Sequence, residues 1–161
     1  MTAPLDSLED TGRAPAAPTR LPGVRVGTDL VCVEGVAASV RDFGDRYLDR
    51  IYTPAEIAYC QGGQGSQGGP ATPEETARRL AARFAAKEAC VKVLRPTTRW
   101  LDWRQIEVVK MPGGWCALAL HGDALALSEA GGLQGFSVSL SHEHSHAMAV
   151  VAATVAPVPA H

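Results

Sequence analysis

No cysteine pair of the CxxC kind occurs in this sequence. Cys32, Cys60, Cys90 and Cys116 stand far apart. Zinc knuckles and redox dithiols need sulfurs a few residues from one another, so both are excluded. The four cysteines read instead as reduced, mostly buried thiols of a cytoplasmic protein. Long apolar runs are missing too. The longest lies around Ala147 to Val155, well short of the ~20 residues that cross a bilayer. The N-terminus lacks the charged, apolar and small-residue order of a signal peptide. Nor is there a large charge of either sign. A formal net charge of −2 gives no global pull toward nucleic acid or an anionic membrane, so neither is an expected partner.

What is present has ordinary globular composition, and 161 residues suit one domain with ragged ends. Residues 1–22 are rich in Pro, Ala and Asp without an apolar period and read as a disordered tail. The domain is expected over 23–155, with 156–161 frayed. "GVRVGTDLVCV" (Gly23–Val33) reads as a strand. Val24, Val26, Thr28 and Leu30 share one face, and Arg25, Gly27, Asp29 and Val31 the other. "EGVAASVRDFGDRYLDRI" has a helical period with Val36, Val40, Phe43, Tyr47 and Ile51 near one stripe. Thr53-Pro54-Ala55-Glu56 and Thr72-Pro73-Glu74-Glu75 are two helix starts of one kind: Thr as N-cap, Pro first, Glu third. Between them residues 61–71 form a flexible Gln/Gly loop. The second start opens a long helix to about Leu94. "RQIEVV", "WCALAL", "GFSVSLS" and "HAMAVVAATV" read as strands, and "GDALALSEAGG" as a helix with Asp123 at its cap. The fold class is α+β: a small antiparallel sheet with packed helices.

"SLSHEHSH" carries His142, His144 and His146 at alternate positions, a pattern that invites a transition-metal reading. The first ends one strand and the last opens the next, so the three straddle a hairpin. His144 and His146 read as solvated turn and edge residues. His142 ends a core-facing strand.

"RFAAKEACVKVL" carries more chemistry. Glu88 and Lys92 share a helix face, as do Arg83 and Lys87. Alanines keep the surface near Glu88 low. Spacing alone also fits an exposed helix with an ordinary ion pair. Asp29 adds weight to the other side, because a carboxylate in an apolar strand needs a cation or several donors. If Asp29 faces Glu88, two carboxylates meet. Oxygen ligands with open positions suit Mg²⁺ shared with substrate phosphates, and Lys92 and Arg83 would hold phosphate oxygens.

Three segments together resemble the holo-acyl-carrier-protein synthase family, the small trimeric class of 4′-phosphopantetheinyl transferases. "VGTDLVCV" is similar to its G-[IT]-D-[ILV]-V-E-[IV] strand. "RFAAKEACVKVL" is similar to R-F-A-[AV]-K-E-A-x-x-K-A. "VSLSHEHSHAMAVV" is similar to V-S-[LI]-[ST]-H-x-x-x-x-A-x-A-x-V. "RYLDRIYTPAEI" resembles the helix and turn between the first two. The resemblance runs from about Val24 to Val151. It implies transfer of phosphopantetheine from coenzyme A to a serine of an apo acyl or peptidyl carrier protein, releasing adenosine 3′,5′-bisphosphate. It implies Asp29 and Glu88 as Mg²⁺ ligands, Lys92 on the coenzyme A phosphates, and His142 near the nucleotide. Arg83 and Lys87 would position phosphates or the helix. The base for the carrier serine would be Glu88 or a water on the metal. The resemblance further implies a homotrimer with sites between subunits, and Arg41, Arg46 and Arg50 are candidates for carrier docking.

The chain departs from the family's pattern at Cys32, where Glu is usual, and at Gly35, where Arg is common. Arg95 stands where Gly usually follows the lysine helix, and Gly113-Gly114-Trp115 replaces G-K-P. These departures point toward a specialised transferase, for example one of secondary metabolism. The alternative class is a catalytically silent relative that binds coenzyme A or a carrier protein.

Overall fold

The computed structural model describes residues 23–63, 69–97 and 100–156. The expected tail over 1–22, the centre of the expected Gln/Gly loop and all but the first residue of the expected frayed end lie outside the described residues. The elements run β1 (Gly23–Cys32), α1 (Val33–Phe43), α2 (Asp45–Ile51), α3 (Pro54–Cys60), α4 (Pro73–Leu94), a 3-10 turn (Trp103–Gln105), β2 (Ile106–Lys110), β3 (Cys116–Leu120), α5 (Gly122–Ala130), β4 (Leu133–His142) and β5 (His146–Val155). The architecture is α+β, as the pattern predicts.

Two antiparallel sheets form, one in the order β1-β5-β4 and one of β2 with β3. Across the first, Leu30 pairs with Met148 and Asp29 with Ala149. β4 slips register between Gln134 and Ser137, beside Gly135 at φ +62°. Helix α4 is the spine. Ala81, Ala82, Ala85, Ala86 and Ala89 are all buried, and so small a surface lets the helix sit close on the sheet. One core lies between α4, β2 and the inner face of β5, with Val93, Ile106 and Val151 fully buried. A second lies between α4 and α1–α3, centred on Tyr52, whose hydroxyl donates to the Leu80 carbonyl at 3.1 Å.

Both threonine starts are capping boxes. Thr53 and Thr72 accept from the backbone N–H of Glu56 and Glu75, whose carboxylates accept from the N–H of Thr53 and Thr72 in return. Two expectations are corrected. The single helix over 34–51 is broken at Gly44, whose φ of 53° ends α1 and starts α2. Phe43 is thereby left exposed. Asp123 lies in the first turn of α5, and the cap position is His121 with no side-chain cap bond.

Arg95 closes α4 in the left-handed region at φ 54°. That conformation costs a non-glycine residue about 1–2 kcal/mol. Cys60 and Cys90 are buried, and burial pushes their thiols up to about 11 and about 12. Such thiols stay protonated and inert near neutral pH. Among the described residues, no helix is long and apolar enough to cross a membrane.

Candidate active site

Strand β1 meets helix α4 backbone to backbone. A Cβ built on Gly27 would stand 2.1 Å from the Ala89 carbonyl oxygen. This contact sets Asp29, two residues on and on the same face, beside the exposed edge of α4. Lys92 Nζ donates to Asp29 Oδ1 at 2.8 Å and to the Thr28 carbonyl at 2.7 Å. Glu88, one turn before Lys92, is half-buried. Its carboxyl is held above the usual carboxylate range, first by burial and then by Asp29, with Lys92 opposing. The two carboxylates and the lysine are thus one electrostatic cluster.

The cluster suits a hard cation. It offers carboxylate oxygens only, and among the described residues no group of three His, Cys, Asp or Glu forms a closed cage. Mg²⁺ is typically held by one or two carboxylates, with waters and substrate phosphates completing the shell. Asp29 and Glu88 would hold it. Glu88 also opens onto a groove of about 500 Å³ with Val91, Pro96, Trp100, Leu101 and Trp103 in its walls.

A second cluster lies elsewhere on α4. Arg83 and His142 line one bowl of about 350 Å³ together with Arg79, Lys110, Tyr59 and Trp115. Arg83 is buried, with its guanidinium carbon 4.2 Å from the Tyr59 ring centroid, and its Nε has no hydrogen-bond partner. An arginine packed on an aromatic face presents its remaining donors in a fixed fork, the geometry that phosphate oxygens fit. Lys110 Nζ donates to the Gly114 carbonyl at the rim. Arg79, Lys110 and Tyr59 escape a reading of the sequence. Arg79 alone left a trace there, one turn before Arg83 on α4.

Arg83 lies about 140° around the helix from Glu88 and about 180° from Lys92, at about 100° per residue. The two clusters line different cavities, and one chain does not bring them together.

Lys87 is corrected. It is fully buried, with Nζ 2.9 Å from Glu56 Oε2, 3.0 Å from the Trp103 carbonyl and 2.5 Å from that of Ile106. Burial lowers its pKa, with Glu56 opposing. All three ammonium protons are used inside the protein, so Lys87 does not hold a coenzyme phosphate. The three histidines do not converge. His146 Nδ1 pairs with Ser145 Oγ at 2.9 Å, while His144 points into solvent.

Comparison with known proteins places this fold in a class. Residues 25–151 match the 4′-phosphopantetheinyl transferase superfamily model. The chain is 40% identical over 126 residues to the holo-[acyl-carrier-protein] synthase of Koribacter versatilis, covering 78% of this chain and 93% of that one. It is 37% identical over 127 residues to that of Gloeobacter violaceus, covering 79% and 89%. The acyl carrier protein synthase–coenzyme A complex of Chronobacterium ammoniagenes superimposes with a TM-score of 0.69 at 26% identity, covering 84% of this chain and 99% of that one. The Mycobacterium tuberculosis acyl carrier protein synthase gives 0.59 at 31% identity, covering 83% and 100%. The chain belongs to the holo-[acyl-carrier-protein] synthase family.

Proposed function

We propose that this protein transfers 4′-phosphopantetheine from coenzyme A to a serine of an apo carrier protein. The observation that carries the reading is the cluster in which Lys92 bridges to Asp29 at 2.8 Å beside the half-buried Glu88. The serine oxygen attacks the phosphorus that bears the pantetheine. The bond to the bridging pyrophosphate oxygen breaks, and adenosine 3′,5′-bisphosphate leaves. Glu88, with its carboxyl raised by burial and by Asp29, is the chain's own group placed to take the serine proton. Lys92 offers its ammonium to the charge that grows on the leaving phosphate. Mg²⁺, held by Asp29 and Glu88, would supply further neutralisation of the phosphate oxygens.

The bowl of Arg83, Arg79, Lys110 and His142 suits the nucleotide phosphates. It faces away from Glu88 within one chain, so the complete site joins the bowl of one copy to the Asp29–Glu88–Lys92 cluster of the next. A homotrimer meets that need. The outer face of β1 and β5 supports it. Val26 and Leu30 there are 61% and 63% exposed, with Val24 and Met148 beside them. β1 is also a sheet edge. An apolar face of this kind marks an interaction surface. Gly35 and the internal Arg41–Glu34 pair at 2.8 Å leave α1 with little free positive charge. The departures from the family pattern at Cys32, Gly35 and Arg95 support a specialised carrier, as in secondary metabolism.

The test is intact mass spectrometry of apo acyl and apo peptidyl carrier proteins incubated with the protein, coenzyme A and Mg²⁺, with an EDTA control. A Mg²⁺-dependent phosphopantetheine adduct is expected. Coenzyme A binding by calorimetry with no adduct on either carrier would favour a silent relative.

A further inference from the structure

The corrected residue, Lys87, belongs to a buried network outside the Asp29–Glu88–Lys92 cluster. Its partner Glu56 sits in the first turn of α3. One Glu56 oxygen accepts from the backbone N–H of Val108 at 2.9 Å. The other accepts from the Thr53 N–H at 2.9 Å and from Lys87 Nζ. Side-chain exposure is 0% at Lys87 and 1% at Glu56. The network therefore ties α4 to α3 and to the turn that leads into β2, with every ammonium proton in use.

Stability alone does not account for such a pair. A buried ion pair is often matched or bettered by apolar residues of the same volume. Its position relative to Glu88 is more informative. Lys87 precedes Glu88 directly, and it holds the Trp103 carbonyl at 3.0 Å. The Trp103 ring lies edge-on to Phe84, centroids 5.5 Å apart. Phe84 is one turn before Glu88 on the same helix edge. Trp103 also walls the groove onto which Glu88 opens. Both sides of that groove thus hang on one ammonium group: the helix that bears Glu88 and the turn that faces it.

We propose that Lys87 and Glu56 are positioning residues for Glu88, setting its distance from the Trp103 wall where the reacting groups must fit. This rests on the reading of Glu88 as a site carboxylate given under Proposed function. A shift of ~1 Å at a reacting group costs on the order of 10²-fold in rate, so a loosened clamp acts on turnover rather than on coenzyme affinity.

The test is the double variant Lys87→Met with Glu56→Gln, which removes the pair without stranding a buried charge. Folded fraction is measured by circular dichroism, and kinetics are expressed per folded molecule. The expected result is a loss of about tenfold or more in kcat, with KM for coenzyme A changed less than about twofold. Lys87→Arg, which keeps the charge and donors, should recover part of the loss. A double variant with kcat within about twofold of wild type overturns the proposal and leaves the pair a structural element only. If the double variant does not fold, Glu56→Asp withdraws the carboxylate by one methylene while keeping its charge. A loss confined to kcat in that variant supports the clamp, and an unchanged kcat overturns it. Glu88→Gln leaves the clamp intact. Retained turnover there would sink the functional reading, whereas a dead Glu88→Gln beside an active double variant would sink only the clamp.

Discussion

Gly27 on β1 and Ala89 on α4 touch through their backbones, so closely that a methyl group on Gly27 would stand 2.1 Å from the Ala89 carbonyl oxygen. No side chain can yield at that point, since the obstacle is the helix backbone. This one contact decides that Asp29 reaches the edge of α4 where Glu88 and Lys92 lie.

Gly27→Ala should therefore push β1 off α4. Overpacking of this kind costs about 1–3 kcal/mol. The midpoint of urea unfolding should fall, and Mg²⁺-dependent turnover should fall further than the folded fraction does. A fully stable, fully active Gly27→Ala protein would contradict the contact.

Glu88→Gln should lower transfer by on the order of 10²–10⁴-fold, the usual contribution of a positioned acid or base, with the circular dichroism spectrum unchanged. Near-normal turnover would remove Glu88 from the site. The same variant carries a pH signature. Burial and Asp29 raise the Glu88 carboxyl in the folded protein, so the folded state favours the protonated form. The stability this adds is complete below the ordinary carboxylate range and is lost as pH rises through the raised value. In EDTA, wild type should lose stability over that window and Glu88→Gln should not. Thermal unfolding across pH, with and without Mg²⁺, reads the difference, and Mg²⁺ should flatten the wild-type curve.

Lys92→Ala removes an ammonium that is half-exposed and bonded to Asp29 and the Thr28 carbonyl. Charge-assisted hydrogen bonds contribute about 1.5–3 kcal/mol, so affinity for coenzyme A should drop roughly tenfold to a hundredfold, with carrier binding little changed. Calorimetry with each partner separately measures both. A loss confined to carrier binding would reassign Lys92.

His144→Ala should be almost silent, because its side chain is 98% exposed and Glu143 is 3.9 Å away. Exposed substitutions of this kind usually stay within ~0.5 kcal/mol. Turnover and metal content of untagged protein are the readouts. A large loss of either would restore the three-histidine metal site.

Much of the architecture is legible in local patterns, because local interactions produce it. The capping boxes at Thr53 and Thr72 are four-residue features. The alternation in β4 and β5 and the hairpin between His142 and His146 follow from pleat and turn chemistry. The break at Gly44 was hidden because apolar period ran across it, while the cause was the backbone conformation of one residue. Lys87 shows the same limit more sharply. On a helical wheel it shares a face with Arg83 and reads as a group that positions phosphates or the helix. Its true partners come from α3, the 3-10 turn and β2, 16 to 31 residues away in the chain, and sequence separation says nothing about which of them folds back over it.

The sequence by itself determined the helices and strands, the α+β class, and the presence of Asp29, Glu88 and Lys92 in segments that resemble one family. Those properties depend on residues within a few positions of one another. Only the tertiary structure decided which charges meet. Contact between β1 and α4 through Gly27 brought Asp29 to Lys92 and into the field of Glu88. The helical twist of α4 turned Arg83 and its bowl to the far side. Burial under α3 took Lys87 out of the coenzyme's reach. Electrostatic work depends on distance and on exclusion of water, and both are set by packing between segments remote in the chain.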